Sequence, residues 1–200
     1  GYRIDPCADY AAVRTLVDAH TAERTRRALE ASGSLPSRAA LIGVDDGECV
    51  GIVSRRPRTL EEHVIGIGPF VPLREIAESF RIASRSCEVA AQLHDEGVFG
   101  IEDLTWRLAA AGSPDVTAFL DQRYLAPLRA EGEFGKVLEE TLRVYLAEGL
   151  NVTRSAAVLV THVNTLRYRL RRFTELTGRS LEDTEVLVEL MWVLELDGDH

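Results

Sequence analysis

The spacing of apolar residues changes partway along this 200-residue chain, and the change limits the folds open to it. Up to about residue 128, short apolar runs typical of strands alternate with segments in which apolar residues recur every three or four positions, as on one face of a helix. From residue 136 onward only the helical spacing remains. The pattern predicts an α+β protein: a small α/β module at 1–128, a linker at 129–135 and an all-α domain at 136–200.

A hairpin is the clearest signal in the first module. Residues 39–44 and 49–53 are apolar runs that flank Asp45-Asp46-Gly47-Glu48, and Asp-Gly between such runs favours a tight turn with positive φ. A long amphipathic helix is predicted after Pro72. The remaining predictions for this module are a helix at 21–32 and strands at 10–19, 63–67 and 98–101.

The composition excludes several classes of protein. Apolar residues make up 46% of the chain and charged residues 28%, which is typical of a folded globular protein rather than a disordered one. No apolar run is long enough to span a bilayer, so we expect a cytoplasmic protein without membrane contact. Its cysteines, Cys7, Cys49 and Cys87, are widely spaced, which predicts free thiols and no metal site. No cofactor is expected.

Positive charge is concentrated in one segment of an acidic chain. The net charge is −9, but residues 151–179 hold six arginines against one glutamate. The final segment, 180–200, holds seven acidic residues and no basic one. Nucleic-acid binding requires local positive charge, and an acidic remainder would repel DNA everywhere except at this segment.

The basic segment also has the pattern of two short helices joined by a turn. Asn151 or Thr153 is placed to cap the first helix, and the second is predicted to run from His162 to about Leu176, where Thr177-Gly178 stops it. Leu166, Leu170 and Phe173 fall on one side of the second helix and are expected to pack against Ala156 and Leu159 of the first. The opposite side carries polar and basic residues: Asn164, Thr165, Tyr168, Arg171 and Arg172, with Arg167 and Arg169 at its flanks.

Such a helix suits the major groove of DNA. Asn164 can bond adenine at two points, and Arg167 or Tyr168 can reach bases or phosphates. Thr153, Arg154, Arg171 and Arg172 are better placed to contact the phosphate backbone, which supplies affinity without sequence preference. His162 could cap its helix or contact a phosphate. The alternative is an ordinary helical bundle with a solvated arginine-rich face that binds protein or nothing.

The segment from 137 to 192 resembles the C-terminal helix-turn-helix of the PucR/CdaR family of bacterial regulators. The resemblance rests on Leu138-Glu-Glu-Thr-Leu-Arg-Val-Tyr-Leu146, on His162-Val-Asn-Thr-Leu-Arg-Tyr-Arg-Leu-Arg-Arg172 and on Glu175-Leu-Thr-Gly178. It extends upstream to that family's degenerate GGDEF-like module through Ile65-Gly-Ile-Gly68, Ser79-Phe80 with Ala83, Ile101-Glu-Asp-Leu104 and Leu125-Ala-Pro-Leu128. Val163 stands where the family usually has an arginine, which removes one DNA contact, and Thr161 takes a usually aliphatic place.

The resemblance implies a transcription activator, dimeric or larger, that binds double-stranded DNA and senses an unknown effector through a further upstream domain. We therefore expect this chain to be the C-terminal portion of such a regulator. A nucleotide-condensing enzyme is the competing hypothesis, because active GGDEF relatives use a glycine-acid hairpin. Residues 45–48 lack the paired glycines followed by Asp-Glu-Phe, so no catalytic residue is assigned and the hairpin is interpreted as a turn.

Two weaker motifs have alternative interpretations. Gly66 and Gly68 precede a helix and could hold an anion through backbone N–H groups, although a structural turn is the favoured interpretation. Arg55, Arg56 and Arg58 could meet a phosphate or an acidic effector, whereas a solvated loop is more usual.

Overall fold

The protein forms two compact units in a computed structural model that describes residues 4–18 and 20–196. The division falls between Ala109 and Ala110, whereas the sequence predicted it after residue 128. The difference arises because residues 114–129 are helical and place Leu120, Tyr124 and Leu128 in the core of the second unit. The predicted linker at 129–135 is largely helix as well, interrupted only by a short turn before Glu133.

The first unit is a mixed sheet with helices. Five of its six strands lie in the order β2-β3-β1-β4-β6, and β5 pairs with β1. All strand pairs are antiparallel except β4 with β6. The elements are β1 (Asp9–Leu16), α1 (Ala22–Gly33), β2 (Leu41–Asp45), β3 (Glu48–Val53), β4 (Val64–Ile67), β5 (Val71–Pro72), α2 (Ile76–Leu93), β6 (Gly97–Phe99), α3 (Ile101–Leu104) and α4 (Trp106–Ala111), whose last two residues fall in the second unit.

Strand β1 forms the middle of this sheet, although its sequence signal is weak. Residues from Tyr10 to Val13 are fully buried on both faces. Ala11 and Val13 join the cluster that contains Leu29 of α1, while the backbone N–H of Ala12 donates to Ser79 Oγ of α2 at 2.8 Å. Neighbouring strand residues face opposite sides: Ile65 and Ile67 join the cluster with Leu29 of α1, whereas Gly66 between them faces α2, so α1 and α2 cover opposite faces.

The two glycines near the start of α2 serve helix packing. Gly66 lies within β4, and a Cβ there would stand 2.1 Å from the carbonyl oxygen of Ala83. A Cβ on Gly68 would stand 2.1 Å from the carbonyl oxygen of Ser79. Because glycine has no Cβ, α2 can lie directly against the backbone at these two positions. The interpretation of this pair as a structural turn was therefore incomplete.

The hairpin prediction is confirmed. Asp46 and Gly47 have φ of 41° and 81° between β2 and β3, the conformation of a two-residue turn that matches strand twist. In the nearby arginine cluster, Arg56 contacts Glu102 and Asp103 at 2.5 and 2.6 Å. Arg55 donates to the carbonyl oxygen of Ser32. These two side chains thus hold the protein's own loops.

The second unit is entirely helical in its described part. Its elements are α5 (Pro114–Leu120), a π-helical turn (Asp121–Leu125), α6 (Ala126–Arg129), α7 (Glu133–Ala147), α8 (Val152–Val158), α9 (Val163–Thr177) and α10 (Thr184–Leu196). Buried leucines from five of these elements share a core with the stacked rings of Tyr124 and Phe173, whose centroids are 6.2 Å apart. The terminal helix therefore contributes mainly to the core, through Val186, Leu190, Val193 and Leu194.

One polar pair crosses this core. The hydroxyl of Tyr124 donates to Glu189, which also pairs with Arg123 at 3.0 Å. Burial, followed by the bond to Glu189, raises the pKa of Tyr124 to about 12. Since the raised pKa belongs to the folded state, the bond stabilises fully below the unfolded pKa near 10 and is lost as pH rises towards 12.

We therefore expect the thermal stability gap between the wild type and Tyr124→Phe to shrink between pH 10 and 12. The variant lacks both the hydroxyl and its titration, whereas every other alkaline ionisation is common to the two proteins. Melting temperatures of both at pH 8, 10 and 11.5 measure the gap. A constant gap would show that the Tyr124–Glu189 bond contributes no pH-dependent stability.

The described residues contain neither a helix that could span a membrane nor a cluster of three metal-ligating side chains. No helix there is both long and apolar enough to cross a bilayer. No group of three His, Cys, Asp or Glu side chains within the same residues could hold a metal ion. All three cysteines are free thiols, with Cys49 and Cys87 buried.

Candidate nucleic-acid interface

The basic segment folds as two helices with capped starts. Asn151 is the N-cap of α8, and its Oδ1 accepts from the backbone N–H of Arg154 at 3.0 Å. Ser155 on the next turn is buried and donates to the carbonyl oxygen of Asn151 at 2.8 Å. Of the two caps that the sequence allowed, Asn151 is the one used, and Thr153 lies exposed on the first turn.

His162 is the N-cap of α9. Its Nδ1 accepts from the backbone N–H of Asn164 at 3.1 Å. A neutral ring that accepts at Nδ1 carries its proton on Nε2, so the exposed ring keeps one N–H donor for a partner. His162 therefore combines a helix cap with a free donor at the start of the second helix.

The turn before His162 contains an unusual residue. Val160 has φ of 48° and is 93% exposed, although β-branched residues rarely adopt positive φ. The backbone N–H of Thr161 closes the turn onto the carbonyl oxygen of Ala156 at 2.9 Å. Nothing in the sequence marks Val160, because only the folded backbone reveals its conformation and its exposure.

The two sides of α9 differ as predicted. Leu166 and Phe173 are fully buried, and Leu170 packs against the core. Ala156 of α8 is also buried, which allows the two helices to cross closely, while Leu159 is half-buried. The end of α9 is capped by Gly178 in the left-handed conformation, with φ of 66°. This packing fixes which side chains α9 presents outward.

The outward side of α9 is polar and basic. Arg167 and Tyr168 lie three and four positions after Asn164, and Arg171 lies four and three positions after them; all four are exposed, and Thr165 is exposed beside them. Arg167 has no ion pair among the residues that the structure describes. Arg171 lies over the Tyr168 ring, 5.7 Å from its centroid, and is 3.6 Å from Glu175. These side chains can hydrogen-bond base edges or phosphates without any rearrangement of the helices.

The other three predicted arginines contact the protein itself. Arg154 donates to the carbonyl oxygen of Glu148 at 2.6 Å, which ties α8 to the end of α7. Arg169 donates to Thr141 Oγ1 at 3.2 Å. Arg172 pairs with Glu131 at 3.1 Å and with Glu175 at 3.2 Å, and these bonds raise its pKa above the ordinary value. Charge counting along the sequence could not separate these arginines from Arg167, which has no ion pair in the described residues.

Residues 138–196 match the family described as the PucR C-terminal helix-turn-helix domain. A search of curated proteins found no match. Among solved structures, one similar chain is a regulator of polyketide synthase expression from Bifidobacterium adolescentis, with 20% identity and a TM-score of 0.39 over 96% of this chain and 87% of that chain.

The matched residues begin in α7 and end at the last residue of α10, so they include both capped helices and the basic outward side of α9. The resemblance inferred from the sequence is therefore confirmed for this part of the chain. Residues 138–196 belong to the family of PucR C-terminal helix-turn-helix domains.

Proposed function

We propose that this chain is part of a non-enzymatic transcription regulator that binds double-stranded DNA through α9. One observation carries the proposal: the outward side of α9 presents an amide, two arginines and a phenol, all exposed, on a helix whose opposite side is locked in the core. A recognition helix needs this combination, because its side chains must reach base edges while the helix stays rigid. The family of the domain supports the same function.

Within this proposal the contacts divide into two kinds. Asn164 and Arg167 lie in the first turns of α9 and are the candidates for reading bases, with Asn164 suited to adenine and Arg167 to guanine. Arg171, steadied by the Tyr168 ring, and the Nε2 donor of His162 are candidates for phosphates. Thr153 is exposed near the start of α8, where its hydroxyl can donate a hydrogen bond to a DNA phosphate. Arg154, Arg169 and Arg172 would contact phosphate only by sharing or leaving their present partners.

Further features are proposed from the sequence resemblance. The first unit is a degenerate GGDEF-like module, and an effector-sensing domain lies upstream in a longer protein that acts as an activator. The regulator binds DNA as a homodimer or higher homo-oligomer, because a single short helix reads too few base pairs to specify one site in a genome. Two copies would double the number of bases read.

The salt dependence of binding tests the proposal, with Arg171→Ala as the informative variant. The wild-type affinity should fall steeply with salt, since each neutralised phosphate releases counterions. Arg171→Ala should weaken binding to every duplex by a similar factor and reduce the slope of log affinity against log salt by about one per subunit. Fluorescence anisotropy between 50 and 300 mM salt measures both quantities.

Arg27→Ala is the matched control. Arg27 is an exposed arginine of α1, paired with Glu23 at 2.8 Å, so its removal changes the net charge equally without touching α9. The control should keep the wild-type slope. A shallow wild-type slope, or an equal change in both variants, would instead favour a helical domain that binds protein.

A further inference from the structure

A cleft in the first unit combines a cationic group with apolar walls. It lies between the side of α2 that carries Arg81, Ile82 and Arg85 and the segment from Ile101 to Ala109, and its volume is about 340 Å³. This volume is at the lower end of the range for small-molecule sites in proteins. The cleft shares no residue with the proposed DNA-binding side of α9, so an inference about it does not depend on that function.

Arg85 is the cation that the surrounding acids leave unpaired. It is half-buried, and its Nη2 donates to the carbonyl oxygen of Leu108 at 2.7 Å. The acids before and after it on α2 are engaged elsewhere: Glu78 with Arg81, and Glu88 with Arg14 at 3.0 Å. No carboxylate pairs with Arg85 among the residues that the structure describes. Its remaining N–H donors are free for an anion.

The Leu108 contact also orients this guanidinium. A side chain already held by one hydrogen bond loses less conformational freedom when it binds a ligand than a freely rotating one. The planar fork of arginine matches the two oxygens of a carboxylate. The charge and the geometry of Arg85 therefore favour a carboxylate over a neutral group.

The walls of the cleft would receive the apolar body of such a ligand. Ile82, Ile101 and Leu108 line it, and Ile101 is 51% exposed. Thr105 joins α3 to α4 in this wall with φ of 44°, a strained conformation for a β-branched residue. Strain of this kind is concentrated at binding sites, where the surrounding structure holds it in place.

We propose that this cleft binds a small organic monocarboxylate, with its carboxylate on Arg85 and its apolar group against Ile82, Ile101 and Leu108. The site would give the chain a ligand response of its own, in addition to any domain upstream.

Benzoate is a suitable probe, with benzamide as its neutral analogue of the same shape. In amide NMR spectra of the full chain, benzoate should shift signals from residues 78–85 and 101–109, and benzamide should not. Arg85→Gln should weaken benzoate binding about tenfold or more, because it removes a charge-assisted hydrogen bond. Arg27→Gln is the matched control, because Arg27 is an exposed arginine of α1 that does not line the cleft, and it should stay within about twofold of the wild type.

A second variant, Ile101→Asp, tests the proposal even if Arg85→Gln does not fold. Ile101→Asp alters a half-exposed residue and places a negative charge in the cleft, so it should abolish benzoate binding while the spectrum stays dispersed. Equal binding of benzamide and benzoate would overturn the proposal. So would unchanged benzoate binding by Arg85→Gln or by Ile101→Asp.

Discussion

Replacing Phe173 with alanine is expected to destabilise the helical unit by about 3 to 5 kcal/mol, the usual cost of removing a buried aromatic ring. Phe173 is fully buried, stacks on Tyr124 and lies among leucines from α6 and α7. It is also, with Leu166 and Leu170, one of the residues that hold α9 in the core. Because domains are stable by only about 5 to 15 kcal/mol, the variant should bind DNA weakly through loss of folded protein.

The two tryptophans allow each unit to be followed separately in urea. Trp192 lies in α10, where its indole N–H donates to Thr117 Oγ1 at 2.9 Å, and Trp106 lies in the first unit. The indole signal of Trp192 should therefore disappear at lower urea in Phe173→Ala, while that of Trp106 should not change.

Two control variants are compared with Phe173→Ala. Phe173→Leu keeps most of the buried volume and should cost distinctly less. Val188→Ala removes methyl groups from a residue of α10 that is 57% exposed and should change stability by about 0.5 kcal/mol or less. If Phe173→Ala cost no more than Val188→Ala, the core described here could not be what holds α9.

Asn164→Ala is expected to change sequence preference without changing the fold. An asparagine that bonds adenine at two points contributes about 1 to 3 kcal/mol of discrimination, so the variant should tolerate any base at one position of the site. The helix cap should survive, because His162 accepts from the backbone N–H of residue 164, which alanine retains.

The measurement begins with selection of bound duplexes by the full-length protein. Affinities are then determined for all single-base variants of the selected site. Asn164→Ala should lose discrimination at one base pair per half-site, whereas Arg171→Ala should lower every affinity by a similar factor. Uniform losses in both variants would contradict the division between base reading and phosphate binding.

Local features of the sequence predicted most of the secondary structure. Apolar spacing located α2 and α9, Asp-Gly located the turn at Asp46 and Gly47, and Gly178 marked the end of α9. These signals are reliable because a turn, a cap or a helical face depends on residues within a few positions of one another. The two sides of α9 followed from the same periodicity.

Local sequence signals of this kind could not locate the domain boundary. Residues 114–129 have a helical pattern that fits either unit, and only their packing with Leu142, Phe173 and Val193 assigns them to the second. The central place of β1 was hidden for a similar reason. A strand buried on both faces lacks the alternation that marks a strand in sequence.

The sequence by itself determined the α+β class, the helix-turn-helix and the basic character of α9. Only the tertiary structure decided which arginines are free. Arg167 and Arg172 are residues of the same type on the same helix. Arg172 nevertheless pairs with Glu131, which lies 41 positions away in the chain, whereas Arg167 pairs with no acidic residue in the described part of the chain. Such pairings depend on distances through space, which the fold sets and local sequence does not encode.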